Sequence, residues 1–295
     1  MAASSVKVRS YAKINWLLEV LFLRKDGYHE IRTIYQTVSL HDLLHISGSR
    51  RGVRVSCTDQ RVPSDETNLA HKAATRLAGL VGRKTGVTIH IEKRIPVSGG
   101  LAGGSSNAAA VLIGLVKLWD LQLEQSDLLS LAASIGSDVP FFLTGGTALG
   151  IGRGEEVYPI PEVSWKNLLL VNPGIAVSTQ GAYKGLQRLT RPGVARIMPF
   201  TLLAAKGIGK PPLAARNDLE QVVLAVHPEI EEIKLRLLGF GANQALMSGS
   251  GATVFGVFDN RRELGRALRT MRSAGYWCES VRTVDRREYF GTLFE

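Results

Sequence analysis

Between Val87 and Glu92 apolar and polar residues alternate, with Val87, Ile89 and Ile91 on one side and Thr88, His90 and Glu92 on the other. A period of two predicts a strand with one buried face. Leu69, Ala73, Leu77, Leu80 and Val81 recur instead at helical spacing, so 69–81 is predicted as a helix. The run Ile14 to Leu23 is almost wholly apolar and reads as a buried strand, interrupted by Asn15 and Glu19. Val6 to Arg9, Ile31 to Leu40 and Val53 to Cys57 read as further strands, with a turn at Lys25-Asp26-Gly27. Asn107 to Trp119 is apolar all round, which predicts a helix buried on most sides. Ser126 and Asp127 open another helix that Gly136 closes.

The second half continues the mixture. Strands are expected at 147–151, 168–171, 244–248, 253–258 and near 276–283, and helices within 218–238 and over 261–271. Gly152 to Pro161 has the composition of a hinge. The pattern lacks strict strand–helix alternation, so the expected class is α+β with two domains, 1–158 and 159–295.

Composition narrows the setting. The 295 residues are 45% hydrophobic and 21% charged, as in soluble globular proteins. Lys and Arg outnumber Asp and Glu by 36 to 26. The resulting charge of +10 suits anionic partners such as nucleotides, nucleic acid or anionic lipid, and equally a generally basic surface. Cys57 and Cys278, the two cysteines, offer neither a disulfide framework nor a zinc motif, which fits a reducing, cytoplasmic setting. Ile14 to Leu23 follows Lys7, Arg9 and Lys13 and superficially resembles a signal peptide. It carries Asn15 and Glu19, lacks a small-residue cleavage site and is too short to span a bilayer, so no membrane association is expected.

The strongest chemical signal is the segment Pro96-Val97-Ser98-Gly99-Gly100-Leu101-Ala102-Gly103-Gly104-Ser105-Ser106, between a strand and the buried helix. Its glycines permit positive φ and close approach to an anion, and successive N–H groups can form a nest. The helix that follows, expected to begin near Ser105, adds unpaired N–H groups and the positive end of its dipole. No Gly-Lys-Ser/Thr follows at Walker spacing, and the segment is not a GxGxxG fingerprint. A plain strand–helix turn needs one or two glycines, whereas four of the six residues from Gly99 to Gly104 are glycine.

Other positions are equivocal on local sequence. Asp138, within Gly136-Ser137-Asp138-Val139-Pro140, is either a turn or capping residue or a catalytic carboxylate. Lys13 is either a strand-edge charge or a functional one. Gly249-Ser250-Gly251 is either a simple hairpin turn or a second backbone clamp near the phosphates. His29 and Tyr183 have ordinary surface and packing readings as well as ligand-binding ones.

Together these stretches resemble the GHMP family of small-molecule kinases. The resemblance rests on Ala12-Lys13-Ile14-Asn15, the loop from Pro96 to Ser106, and Ser248-Gly249-Ser250-Gly251-Ala252, in that order. It extends to Arg24-Lys25-Asp26-Gly27-Tyr28-His29, Gly136-Ser137-Asp138-Val139-Pro140 and Asn217-Asp218-Leu219-Glu220, and so spans nearly the whole chain. It implies a two-domain fold with the active site in the cleft between domains. It implies Asp138 as general base with Lys13 as its charged partner, the Pro96 to Ser106 loop on the phosphates of ATP, and Asn68 near the adenine. Asn15, Tyr28 and His29 would bind a small-molecule acceptor, a cytidine diphosphate derivative, with His29 on the cytosine and Tyr183 stacked on it. Mg²⁺ is implied with ATP; the sequence does not fix its protein ligands, for which Ser105 and Ser106 are the candidates.

Departures from the family pattern are modest. Ser98 and Ala102 stand where relatives often have glycine, and Trp16 is bulkier than the usual aliphatic residue and is expected to alter packing near Asn15. Two rival readings remain: a related kinase acting on a mevalonate-like or homoserine-like alcohol, and a basic, non-enzymatic nucleic-acid-binding protein. The second lacks support, because the basic residues are scattered and no nucleic-acid-binding signature occurs, so no nucleic-acid partner is expected.

Overall fold

β1 (Ser5–Leu23) and β2 (His29–Ser49) form one long antiparallel hairpin in the computed structural model, which describes residues 5–84, 86–187 and 215–295. The stretches expected as separate strands are thus one 19-residue and one 21-residue strand. Their length is tolerated because irregularities between Tyr11 and Ala12, Asn15 and Leu17, and Val20 and Phe22 bend the hairpin. β3 (Val53–Cys57), β4 (Gly86–Glu92), β5 (Thr147–Ile151), β6 (Glu156–Pro159) and β8 (Arg216–Asn217) complete a seven-stranded sheet. β4 and β5 pair with different stretches of β2, and β8 lies parallel to β1. Gly152 to Pro161, expected as a hinge, is a turn followed by β6, which pairs with β5.

One side of this sheet carries α1 (Leu69–Leu80), α2 (Gly103–Leu118), α3 (Gln125–Ile135) and the short α4 (Phe141–Thr144). α2 starts before the apolar periodicity does, because Gly103 and Gly104 form its first turn. Its expected burial holds: Ala108, Ala109, Val111, Leu112 and Leu115 are fully buried. α3 does end at Gly136, in extended rather than left-handed backbone, and its N-terminus has no side-chain cap from Ser126 or Asp127.

A second, four-stranded sheet has the order β11 (Trp277–Val281), β7 (Leu168–Asn172), β10 (Val254–Val257), β9 (Gln244–Met247). Ala12, Ile14 and Trp16 of β1 pack against its Leu170, Phe255 and Val257. Trp16 therefore faces the core between the sheets, edge-on to Phe255 at 5.4 Å, and not the Asn15 side. The far side of the second sheet is covered by α5 (Thr179–Gln187), α6 (Glu220–Val226), α7 (Pro228–Gly239) and α8 (Arg261–Ser273). The chain then returns to the first sheet, where α9 (Arg286–Thr292) packs Tyr289 on Tyr11. Among the described residues no helix is long and apolar enough to cross a membrane.

Candidate active site

Lys13 and Asn15 are two residues apart on β1 and so share a face. Asn15 pairs across the hairpin with Tyr35, which brings that ring to the same side. Lys13 Nζ donates to Asn15 Oδ1 at 2.7 Å, and Asn15 Nδ2 donates to Thr33 Oγ1 at 2.7 Å. Asn15 therefore orients the ammonium, and one N–H and one lone pair of its amide remain for a ligand. Lys13 is no strand-edge charge: its side chain is 4% exposed. Burial pulls its pKa below the ordinary lysine value of 10.5, and the charge of Asp138 opposes that pull.

Asp138 lies in the turn between α3 and α4, with 32% of its side chain exposed. Its Oδ2 is 3.8 Å from Lys13 Nζ, an ion pair too long for a hydrogen bond. Its Oδ1 accepts from the Tyr35 hydroxyl at 3.0 Å. The sequence reading missed Tyr35, whose position inside an apolar strand looks like packing. A buried cation beside a partly exposed, ionisable carboxylate is an arrangement for removing a proton from a hydroxyl.

The glycine-rich loop reaches this pair through the backbone. Lys13 N–H donates to Leu101 O at 3.2 Å, while the Leu101 side chain is buried between the sheets. Ser98, Gly100 and Ala102 all have left-handed backbone, with φ of 56°, 74° and 55°. Alternating left-handed residues turn successive N–H groups toward one point, the geometry of an anion nest. Ser98 and Ala102 thus occupy conformations that glycine adopts without strain. Ala102 caps α2, and among the described residues no side chain makes a capping hydrogen bond there; as at any helix start, the N–H groups of Gly103, Gly104 and Ser105 lack intrahelical partners.

The turn between β9 and β10 is packed on this loop. Ser248 Oγ donates to Gly100 O at 3.0 Å, and Thr253 N–H donates to Gly99 O at 3.1 Å. A Cβ at Gly100 would lie 2.1 Å from Ser248 O, so the contact requires glycine. A Cβ at Gly249 would lie 3.4 Å from Lys13 Nζ, which places this turn at the Lys13–Asp138 pair as well. Asn217 secures the turn by donating to Met247 O at 2.8 Å and Gly249 O at 2.6 Å.

The remaining positions divide. His29 opens β2 and stacks on Tyr183 of α5, with ring centres 5.2 Å apart and planes 26° from parallel. Among the described residues His29 Nε2 is buried without a hydrogen-bond partner, and burial lowers the pKa of the ring from 6.5. A neutral imidazole there can donate or accept at the edge of a ligand. Tyr28 is 55% exposed and lies under the Arg153 guanidinium at 4.9 Å, at the rim. Asn68 caps α1: its Oδ1 accepts from Ala70 N–H at 2.8 Å and its Nδ2 donates to Pro63 O at 2.6 Å. The neighbouring Leu69 side chain lies against Gly104, so Asn68 flanks the start of α2.

The donor set for a metal is sparse. Among the described residues no group of three or more His, Cys, Asp or Glu is suited to a metal ion. Ser106 is buried and its Oγ accepts from Ser10 Oγ at 2.7 Å, whereas Ser105 is half-buried beside the open helix end. A single hydroxyl, that of Ser105, is compatible with Mg²⁺, which takes few protein ligands when phosphates and water supply the rest.

A glycine loop on a helix terminus, joined through β1 to a lysine–carboxylate pair on the helix-covered side of the first sheet, is an arrangement suited to phosphoryl transfer to a small molecule. The chain belongs to the GHMP kinase family: residues 68–146 match the GHMP kinases N terminal domain and 208–276 the GHMP kinases C terminal domain. It is similar to 4-diphosphocytidyl-2-C-methyl-D-erythritol kinase of Syntrophus aciditrophicus, 38% identical over 286 residues, covering 95% of this chain and 100% of that one. The protein of the same name from Gloeobacter violaceus is 43% identical over 263 residues, 87% of each chain. The crystal structure of 4-(cytidine 5'-diphospho)-2C-methyl-D-erythritol kinase is similar at TM-score 0.77 and 33% identity, over 94% of this chain and 99% of that one. A homoserine kinase from Cytophaga hutchinsonii (TM-score 0.72, 20% identity, 98% of this chain and 97% of that one) shares the fold.

Proposed function

We propose that this chain transfers the γ-phosphoryl group of ATP to the 2-hydroxyl of 4-diphosphocytidyl-2-C-methyl-D-erythritol, yielding ADP and the 2-phosphate in non-mevalonate isoprenoid precursor synthesis. The observation that carries the reading is the meeting of the glycine loop, the Ser248–Gly251 turn and the Lys13–Asp138 pair at one place. The choice of acceptor rests on relatives of that name, 37–43% identical over most of the chain.

In this reading the backbone from Pro96 to Ser106 and the N-terminus of α2 hold the triphosphate in line. Asp138 accepts the proton of the tertiary hydroxyl as its oxygen bonds to phosphorus, and Lys13 balances the developing charge. Asn15 positions Lys13 and reaches the acceptor with its remaining amide valences. His29 and Tyr183 provide an aromatic surface and a ring nitrogen for cytosine, Tyr28 lines the rim, and Asn68 stands near adenine. Mg²⁺ would be held by Ser105 with the phosphates, where it neutralises phosphate charge. The division into 1–158 and 159–295, with catalysis in the cleft between, and a cytoplasmic location belong to the same reading.

A second kinase reading, with a mevalonate-like or homoserine-like acceptor, shares the fold. An ADP-release assay with ATP, Mg²⁺ and a panel of alcohols separates the two. The cytidyl acceptor should support turnover and mevalonate and homoserine should not; turnover with a non-cytidylated alcohol alone would overturn the choice of acceptor.

A further inference from the structure

The Asp138 carboxylate needs an anchor that its own turn does not supply. Rotation about the last Asp torsion is broad and roughly two-fold, so either oxygen could face the cleft. Lys13, at 3.8 Å, fixes charge but not orientation. The Tyr35 hydroxyl, at 3.0 Å from Oδ1, is the short contact.

Tyr35 is built into a slot of its own shape. It is 1% exposed, and its ring lies against Phe141 with centres 4.8 Å apart. A Cβ at Gly150 would lie 2.5 Å from Tyr35 Cε2, and one at Gly154 would lie 2.3 Å from the Tyr35 hydroxyl oxygen. Those two glycines leave the phenol its room, and a ring so enclosed has little freedom to swing. Its hydroxyl has one proton and two acceptors within reach, Asp138 Oδ1 at 3.0 Å and Gly154 O at 3.3 Å. An ionised carboxylate is the stronger acceptor, so the proton points to Asp138 while Asp138 is charged. Once Asp138 is protonated, Gly154 O offers the alternative.

We propose that Tyr35 is a positioning residue for the phosphoryl transfer, holding Asp138 Oδ1 so that Oδ2, beside Lys13, takes the proton of the acceptor hydroxyl. The inference rests on the reading of Asp138 as general base. In that step the acceptor O–H bond breaks and its proton moves to Oδ2. The freed oxygen bonds to the γ-phosphorus, and the bond to the bridging oxygen breaks with its electron pair left on ADP. The charged and titratable groups facing this pair are Lys13 from β1, Tyr183 from α5, and Glu155 after β5, which is paired with Arg153 at 2.9 Å.

The test is the split between kcat and KM in Tyr35→Phe, measured beside Asp138→Asn. Tyr35→Phe removes one oxygen and keeps the ring in its slot. The expected result is a kcat about tenfold lower. KM for ATP and for the acceptor should stay within about twofold, and Tm within a few degrees, since the packing is retained. A kcat matching the parent, with Asp138→Asn inactive, would overturn the role of Tyr35 alone. So would a rise in both KM values with a large fall in Tm, since that reports packing. Near-parental turnover in Asp138→Asn would remove the general-base reading and this inference with it.

Discussion

In the proposed reading, the phosphate loop and the acceptor side of the site recognise their ligands by different means. From Ser98 to Ser105 recognition is by backbone: left-handed residues at 98, 100 and 102 and free N–H groups at the start of α2. On the acceptor side it is by side chains from distant parts of the chain, Lys13 and His29 in the first hairpin, Asp138 after α3 and Tyr183 on α5. A backbone site is specified locally, by which residues tolerate its conformations. A side-chain site is specified by the fold that assembles it. Substitutions should therefore act on conformation and ATP affinity in the first region, and on proton transfer and acceptor affinity in the second.

The sharpest break of that contrast is Asp138→Asn. It should lower kcat by roughly 10²–10⁴-fold in steady-state assays while ATP and acceptor still bind by calorimetry. Lys13→Met comes next, with an expected fall of roughly 10²-fold in kcat and only a small change in KM for ATP. In the parent protein the alkaline limb of kcat should lie below pH 10.5, because burial lowers the Lys13 pKa. The stability sign follows: the unfolded chain keeps the Lys13 proton to higher pH than the folded one. Lys13 therefore costs stability below its folded pKa, and that cost is relieved as pH rises toward 10.5. Denaturant titrations across that window read this contribution.

Gly100→Ala attacks the backbone side. Its Cβ would meet Ser248 O at 2.1 Å, and φ is +74°, so the loop and the β9–β10 turn must part. KM for ATP should rise about tenfold or more while the pH profile of kcat keeps its shape. Ala102→Gly is the smallest change. It relieves a left-handed alanine but adds freedom to the unfolded chain, so stability should change by about 0–1 kcal/mol in the stabilising direction, with kcat unaltered. A shifted pH profile in either loop variant would blur the distinction between the two regions.

Legibility in the sequence follows the same division. The loop was readable because four of the six residues from Gly99 to Gly104 are glycine, more than a packed turn needs. The strands at 53–57 and 147–151 and the helix over 69–80 were readable from periodicity and flanking turns. The unbroken length of β1 and β2 was not, because bulges reset the alternation on which a strand reading depends. β6 was hidden by Gly152, Gly154 and Pro161, which read as a hinge. Trp16 looked like a neighbour of the site because it adjoins Asn15 in sequence, yet alternate strand residues face opposite ways and it packs on Phe255. Tyr35 carried no signal, since its partner Asp138 is remote in the chain and only pairing of β2 with β1 and β5 brings it there. Asn68 carried a nucleotide reading from resemblance, and its helix-capping bonds emerge only from geometry.

The account stands most directly on the product of the wild-type reaction. Incubation with ATP, Mg²⁺ and 4-diphosphocytidyl-2-C-methyl-D-erythritol, followed by phosphorus-31 NMR and ADP quantification, should show one new phosphomonoester on the 2-oxygen for each ADP formed. ADP without that monoester, or phosphate placed on another hydroxyl, would contradict it.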